Sequence, residues 1–106
     1  MNIVGITACP AGLAHTPMAA RALENAGEKM NINIKIEQQG AMGTINKISK
    51  EEAVNASFVL IASDQKVTGM ERFKGKKVIR VGINTALAKP ESVLKKCIAL
   101  WENKEG

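Results

Sequence analysis

The sequence predicts an open α/β fold of four parallel strands in the order 2-1-3-4, with helices on both faces. Short apolar runs at residues 3–6 and 58–62 are bounded by small or polar residues, as buried strands are. Between the strand-like runs lie stretches with helical periodicity, the first carried by Met18, Ala22, Leu23, Ala26 and Met30. Strands that alternate with helices pair in parallel through right-handed crossovers. A three-layer, Rossmann-like sheet follows, whose switch point lies between strands 1 and 3. The ligand crevice of such a sheet opens at the carboxyl end of strand 1.

Residues 2–7 form the first predicted strand. Thr16-Pro17 opens the first helix, with Thr as N-cap and Pro at the first helical position, where its missing N–H is harmless. Gly27 weakens that helix by about 1 kcal/mol relative to Ala. Ile32, Ile34 and Ile36 alternate with Asn33, Lys35 and Glu37, which predicts a second strand at the sheet edge with one wetter face. Residues 38–43 read as a flexible polar loop. Ser49 and Glu52 form a capping box that opens a short helix reaching about Ala56. The third strand, 58–62, is the most apolar and belongs in the centre. A loop over 63–69 carries the chain's only aspartate, Asp64. One helical turn is expected over 70–73 and a fourth strand over 77–81. From Pro90 a last helix places Val93, Leu94, Cys97, Ile98 and Trp101 on one face.

With 106 residues, the chain is expected to be one domain, 1–106, large enough for a real core. Aromatics make up only 3%, so Ile, Val, Leu, Ala and Met must fill that core. The net charge of +5 favours acidic or phosphorylated partners, with Lys74, Lys76 and Lys77 the densest basic cluster. The absence of Tyr and of interleaved aromatics argues against a nucleic-acid stacking platform. Two cysteines, Cys9 and Cys97, make neither a disulfide framework nor a zinc set, and no metal or cofactor is expected. No apolar run approaches membrane-spanning length, and a cytoplasmic protein with reduced thiols is expected.

The chemistry concentrates at residues 9–16. Cys9 falls just past the first strand, and the only histidine, His15, stands six residues on at the mouth of the helix. At a strand-to-helix turn several backbone N–H groups point outward together, and the helix dipole adds partial positive charge. A thiol held there loses its proton more readily than a free one, and the same donors hold a phosphate on the sulfur. The loop compares with the phosphatase pattern C-x5-R-[ST]. Here, however, the sixth residue after Cys9 is His15, followed by Thr16, so the arginine fork is missing. Such a loop suits a phosphoryl carrier better than a hydrolase. Cys97, on the apolar face of the last helix, reads as structural.

The run Cys9-Pro10-Ala11-Gly12-Leu13-Ala14-His15-Thr16, followed by Met18-Ala19-Ala20, resembles the fructose-family enzyme IIB of the bacterial phosphoenolpyruvate-dependent sugar phosphotransferase system. The likeness continues through Glu37, Gln39-Gly40, residues 43–46 and Glu71-Arg72-Phe73. It implies a cysteine, Cys9, that takes a phosphoryl group from a phosphohistidine on enzyme IIA and passes it to a sugar on the membrane enzyme IIC. It implies work in the cytoplasm, at the membrane when docked on IIC. The chain departs from the family pattern at Ala11, where Thr or Ser is frequent, and at Pro17, Arg21 and Gln38.

Residues 10–16 are thus the expected phosphate-binding loop, with His15 a candidate assisting group and Thr16 either a helix cap or a phosphate ligand. Gln39 and Gly40 are candidate crevice-lining residues. Arg72 is either a phosphate clamp or part of a turn that merely ties strand 3 to strand 4. Two other functions stay open at this point. One is a cysteine-dependent phosphatase or reductase, and the other a signalling module switched by phosphorylation.

Overall fold

A computed structural model of the protein describes residues 1–8, 15–40, 43–64 and 66–102, with His15 described in its backbone only. The elements run β1 (Asn2–Ala8), α1 (His15–Lys29), β2 (Asn33–Gly40), β3 (Gly43–Ile45), α2 (Lys50–Asn55) and β4 (Phe58–Ser63). A 3-10 turn (Met70–Phe73), β5 (Val78–Val81), α3 (Ile83–Ala88) and α4 (Pro90–Glu102) complete them. The sheet has five strands in the order β3-β2-β1-β4-β5. β1 pairs in parallel with β2 and with β4, and β4 in parallel with β5. The expected parallel core is therefore present, with β1 at its switch point.

Two expectations about the number of elements need correction. The expected loop over 38–43 is in part strand: β2 continues to Gly40 and pairs antiparallel with β3, Gln39 opposite Thr44. The second strand is therefore covered on its outer side rather than being the edge. Backbone freedom makes the short hairpin feasible. Gly43 sits at φ +120° and Asn46 at φ +58°, both in the region that glycine and asparagine tolerate best. The Asn46 side chain also donates to the Ile36 carbonyl. The second correction is α3, a six-residue helix absent from the sequence reading. Its Ile83 packs with Ala19 of α1, so tertiary contact rather than local propensity forms it.

β1 is buried because both its faces meet helices. Ile3 belongs to a core built with Ala20, Leu23 and Ala26 of α1 and Val93, Leu94 and Cys97 of α4. Val4, Ile6 and Ala8 belong to the opposite core, with Ala53 of α2, Val67 and Phe73. Gly5 lies between Ile36 of β2 and Leu60 of β4. A Cβ there would stand 2.6 Å from the Leu60 carbonyl oxygen and 2.9 Å from Ile36 Cδ1.

The helix ends follow local chemistry. α1 starts at His15, so Thr16 lies inside the first turn instead of capping it, and the Thr7 hydroxyl donates to the Thr16 carbonyl at 3.0 Å. At the other end Ile32 N–H bonds to Gly27 O and Asn31 N–H to Glu28 O, with Asn31 at φ +59°. This is a Schellman stop with asparagine in the left-handed position. The capping box of α2 is present in both directions: Glu52 N–H to Ser49 Oγ at 3.0 Å and Ser49 N–H to Glu52 Oε1 at 2.9 Å. Among the described residues, no helix is long and apolar enough to cross a membrane.

Gly5→Ala should destabilise the protein by about 1–3 kcal/mol, because the new methyl meets backbone that cannot rotate away. Urea unfolding would show this as a lower midpoint at unchanged slope. An unchanged midpoint would mean that the sheet yields at no cost.

Candidate functional site

The three central parallel strands finish together. Ala8, the last residue of β1, pairs with Gln39 of β2 on one side and Ser63 of β4 on the other. In the sequence Cys9 comes next. Cys9, Pro10, Ala11, Gly12, Leu13 and Ala14, with the side chain of His15, lie outside the described residues. What the structure describes is the frame around them: the carboxyl ends of the strands, the first turn of α1 and the segment that follows β4. Thr16 in that first turn is buried, with Pro17 and Met18 exposed beside it.

Glu37 organises one side of this frame. Alternation along β2 assigned it to a wetter face, yet its relative exposure is 1%. A buried carboxylate must be fully hydrogen-bonded to remain charged at tolerable cost. Arg72 supplies a two-pronged partner, Nη1 to Oε1 and Nη2 to Oε2, both at 2.7 Å. The Ile48 N–H donates to Oε1 at 2.8 Å and Gln39 Nε2 to Oε2 at 2.7 Å. Burial pushes the Glu37 carboxyl up, but these hydrogen bonds and the Arg72 charge outweigh it and hold the group below the ordinary glutamate range. Arg72 is further committed: Nη1 donates to Ile48 O at 2.6 Å and Nε to Gly69 O at 2.8 Å. Its guanidinium also lies over the Phe73 ring, 4.8 Å from the centroid. Of the two roles open to Arg72, the structural tie is therefore the one these contacts describe, and the tie runs to β2.

Gln39, a candidate crevice residue, turns its amide toward the segment after β4. Nε2 donates to Thr68 O at 2.9 Å, and Thr68 N–H donates to Oε1 at 2.9 Å. Gly40 is exposed and faces Gly43 across the hairpin. Asp64, just past β4, is exposed. A groove of about 550 Å³ runs beside this network, lined by Thr44, Lys47, Lys50, Thr68 and Glu71 together with Glu37 and Arg72. The structure thus brings together Gln39, Glu37, Thr68 and Arg72. Sequence reasoning missed Glu37 as an organiser. The available signal was a carboxylate and an amide two positions apart on one face of a strand.

Because the folded Glu37 carboxyl is more acidic than the unfolded one, its contribution to stability is complete above the unfolded pKa. It is lost as pH falls through the folded value. Stability should therefore drop below the ordinary glutamate range, and Glu37→Gln should remove that part of the acid dependence. Arg72→Met should cost about 3–5 kcal/mol by stranding a buried carboxylate, with much of it regained in the Glu37→Gln/Arg72→Met double variant. Urea unfolding between neutral and acid pH tests all three. A double variant no more stable than Arg72→Met would show that the unpaired charge is not the source of the loss.

A family model described as "PTS system, Lactose/Cellobiose specific IIB subunit" matches residues 4–96. The "PTS system fructose-like EIIB component 2" of Escherichia coli K12 is 38% identical over 95 residues, 90% of each chain. The "PTS system fructose-specific EIIABC component" of Bacillus subtilis is 38% identical over 97 residues, 92% of this chain but 15% of that much longer one. Among solved structures, a domain of the fructose-specific IIABC component of Borrelia burgdorferi superposes with a TM-score of 0.83 at 40% identity, covering 90% of both chains. Sequence, sheet order and these relatives agree: the chain belongs to the IIB-subunit family of the sugar phosphotransferase system, a family of phosphotransferases, and its relatives are fructose-type members.

Proposed function

We propose that this chain is a fructose-type IIB subunit in which Cys9 carries the phosphoryl group between IIA and the sugar bound by IIC. The observation that carries the proposal is the sheet order: β1 lies between β2 and β4, and Cys9 is the next residue in sequence after β1 ends at its switch point. Ligand crevices of open α/β sheets form there. The Cys9 thiolate attacks the phosphorus of the donor phosphohistidine, the S–P bond forming as the P–N bond breaks and the imidazole leaves with that electron pair. A sugar hydroxyl then attacks the same phosphorus. The O–P bond forms, the S–P bond breaks, the thiolate returns and the hydroxyl proton passes to solvent.

In the 10–16 loop the backbone N–H groups of residues 11–16 are the proposed cradle for the equatorial oxygens, Pro10 having none, with His15 assisting and Thr16 contributing at the first turn of α1. The names of the relatives support the partner kinds, since EIIABC joins the B component to A and C components in one protein. The net charge of +5 suits anionic donors. The proposed setting is the cytoplasm, at the membrane when docked on IIC. A phosphatase reading gains nothing from Arg72, whose guanidinium is engaged by Glu37.

Cys97 is a useful internal control. It is 1% exposed, and burial pushes its thiol up to about 11, so it should neither react nor carry phosphate. Incubation with phosphoenolpyruvate, enzyme I, the phosphocarrier protein and the A domain of the Bacillus subtilis relative should add one phosphoryl group, read by intact-mass spectrometry. Peptide mapping near neutral pH should place it on Cys9, and Cys9→Ser should abolish it. Stoichiometric label on any other residue would sink the proposal.

A further inference from the structure

β1 separates β2 from β4, so a segment that follows β4 can reach β2 only by crossing β1. Residues 66–73 make that crossing. Val67 and Phe73 are buried in one cluster with Val4, Ile6 and Ala8, on the α2 side of the sheet. Beyond them Thr68 and Arg72 bond to β2 itself. The far attachment at Thr68 depends on a single side chain. Gln39 takes both main-chain groups of Thr68, as a neighbouring strand would; its oxygen also accepts from the Thr68 hydroxyl at 3.4 Å, and its nitrogen donates to Glu37. These bonds orient the amide unambiguously, since its nitrogen must donate to two acceptors while its oxygen accepts from an N–H. Gln39 is also the residue that pairs with Ala8.

We infer that Gln39 is a positioning residue for phosphoryl transfer: it fixes the 66–73 strap across the end of β1, so that the floor of the carboxyl edge is set before a donor docks. The inference rests on the function proposed above. Its physical basis is preorganisation. Catalysis by placement tolerates little displacement of the groups that define the site, and removing the Gln39 amide releases Thr68 while Val67, Phe73 and Arg72 keep the rest of the strap docked. A role confined to stability would lower the melting temperature but leave the transfer rate of the folded protein unchanged.

Rapid-quench phosphoryl transfer from the phosphorylated A domain of the Bacillus subtilis relative tests this. Wild type, Gln39→Ala and Gln39→Glu would be compared over a range of donor concentration, below the melting temperature of each. The expected result for Gln39→Ala is a saturating rate at least about tenfold lower, with half-saturation changed by less than about twofold. Gln39→Glu keeps the shape but faces the Glu37 carboxylate and the Thr68 carbonyl without a donor. Arg72 is the cation of this network, while Lys47, Lys50 and Glu71 line the adjoining groove. Its rate relative to wild type should be low at neutral pH and recover on acidification, as the new carboxyl gains a proton to donate. Equal saturating rates for Gln39→Ala and wild type overturn the inference, as does a pH-independent ratio for Gln39→Glu. If wild type is labelled on Cys9 in those cases, the proposed function stands. Wild type labelled elsewhere, or not at all, overturns both.

Discussion

A carboxylate almost without solvent exposure sits near the carboxyl end of β2, and three separate parts of the chain are arranged to satisfy it. Glu37 receives a guanidinium fork, a backbone N–H and a side-chain amide. Those donors come from the 3-10 turn, the segment before α2 and β2 itself. Each therefore has a set place relative to the sheet. Removing a charge from water costs several kcal/mol even after relaxation, so a state that misplaces any donor is strongly disfavoured. The ion pair adds geometric definition more than net stability. It tells the chain after β4 where to go.

That definition acts on a sheet with little slack. β1 is paired on both edges and buried on both faces, and Gly5 marks where neighbouring strands leave no room for a side chain. Helix α1 is joined to β1 by the hydrogen bond from Thr7 to Thr16, which spans the segment carrying the proposed nucleophile. The end of β1 is thus bordered by Gln39 and Ser63 in the sheet and by the first turn of α1. Family membership assigns phosphotransferase chemistry to such a chain.

Much of this was legible in the residues. The runs that became β1 and β4 are continuous and apolar because both faces are covered. The α2 capping box was readable as Ser49 and Glu52, and the buried stripe of α4 as Val93, Leu94 and Cys97. β3 was not readable, since all of its three residues are exposed and only main-chain pairing makes it a strand. α3 is too short for a period to show. The burial of Glu37 ran against its pattern: alternation identifies which residues share a face, but not whether that face is wet.

By itself, then, the sequence determined the parallel order around a central first strand, the place of Cys9 directly after that strand in the chain and the family to which the chain belongs. These depend on local periodicity and on contiguous residues. Only the tertiary structure decided that Arg72 is spent on Glu37, 35 positions away, and that Gln39 holds Thr68, 29 positions away. Hydrogen-bond partners so far apart are chosen by which strands become neighbours and by how completely water is excluded between them, and neither is written in any local run of residues.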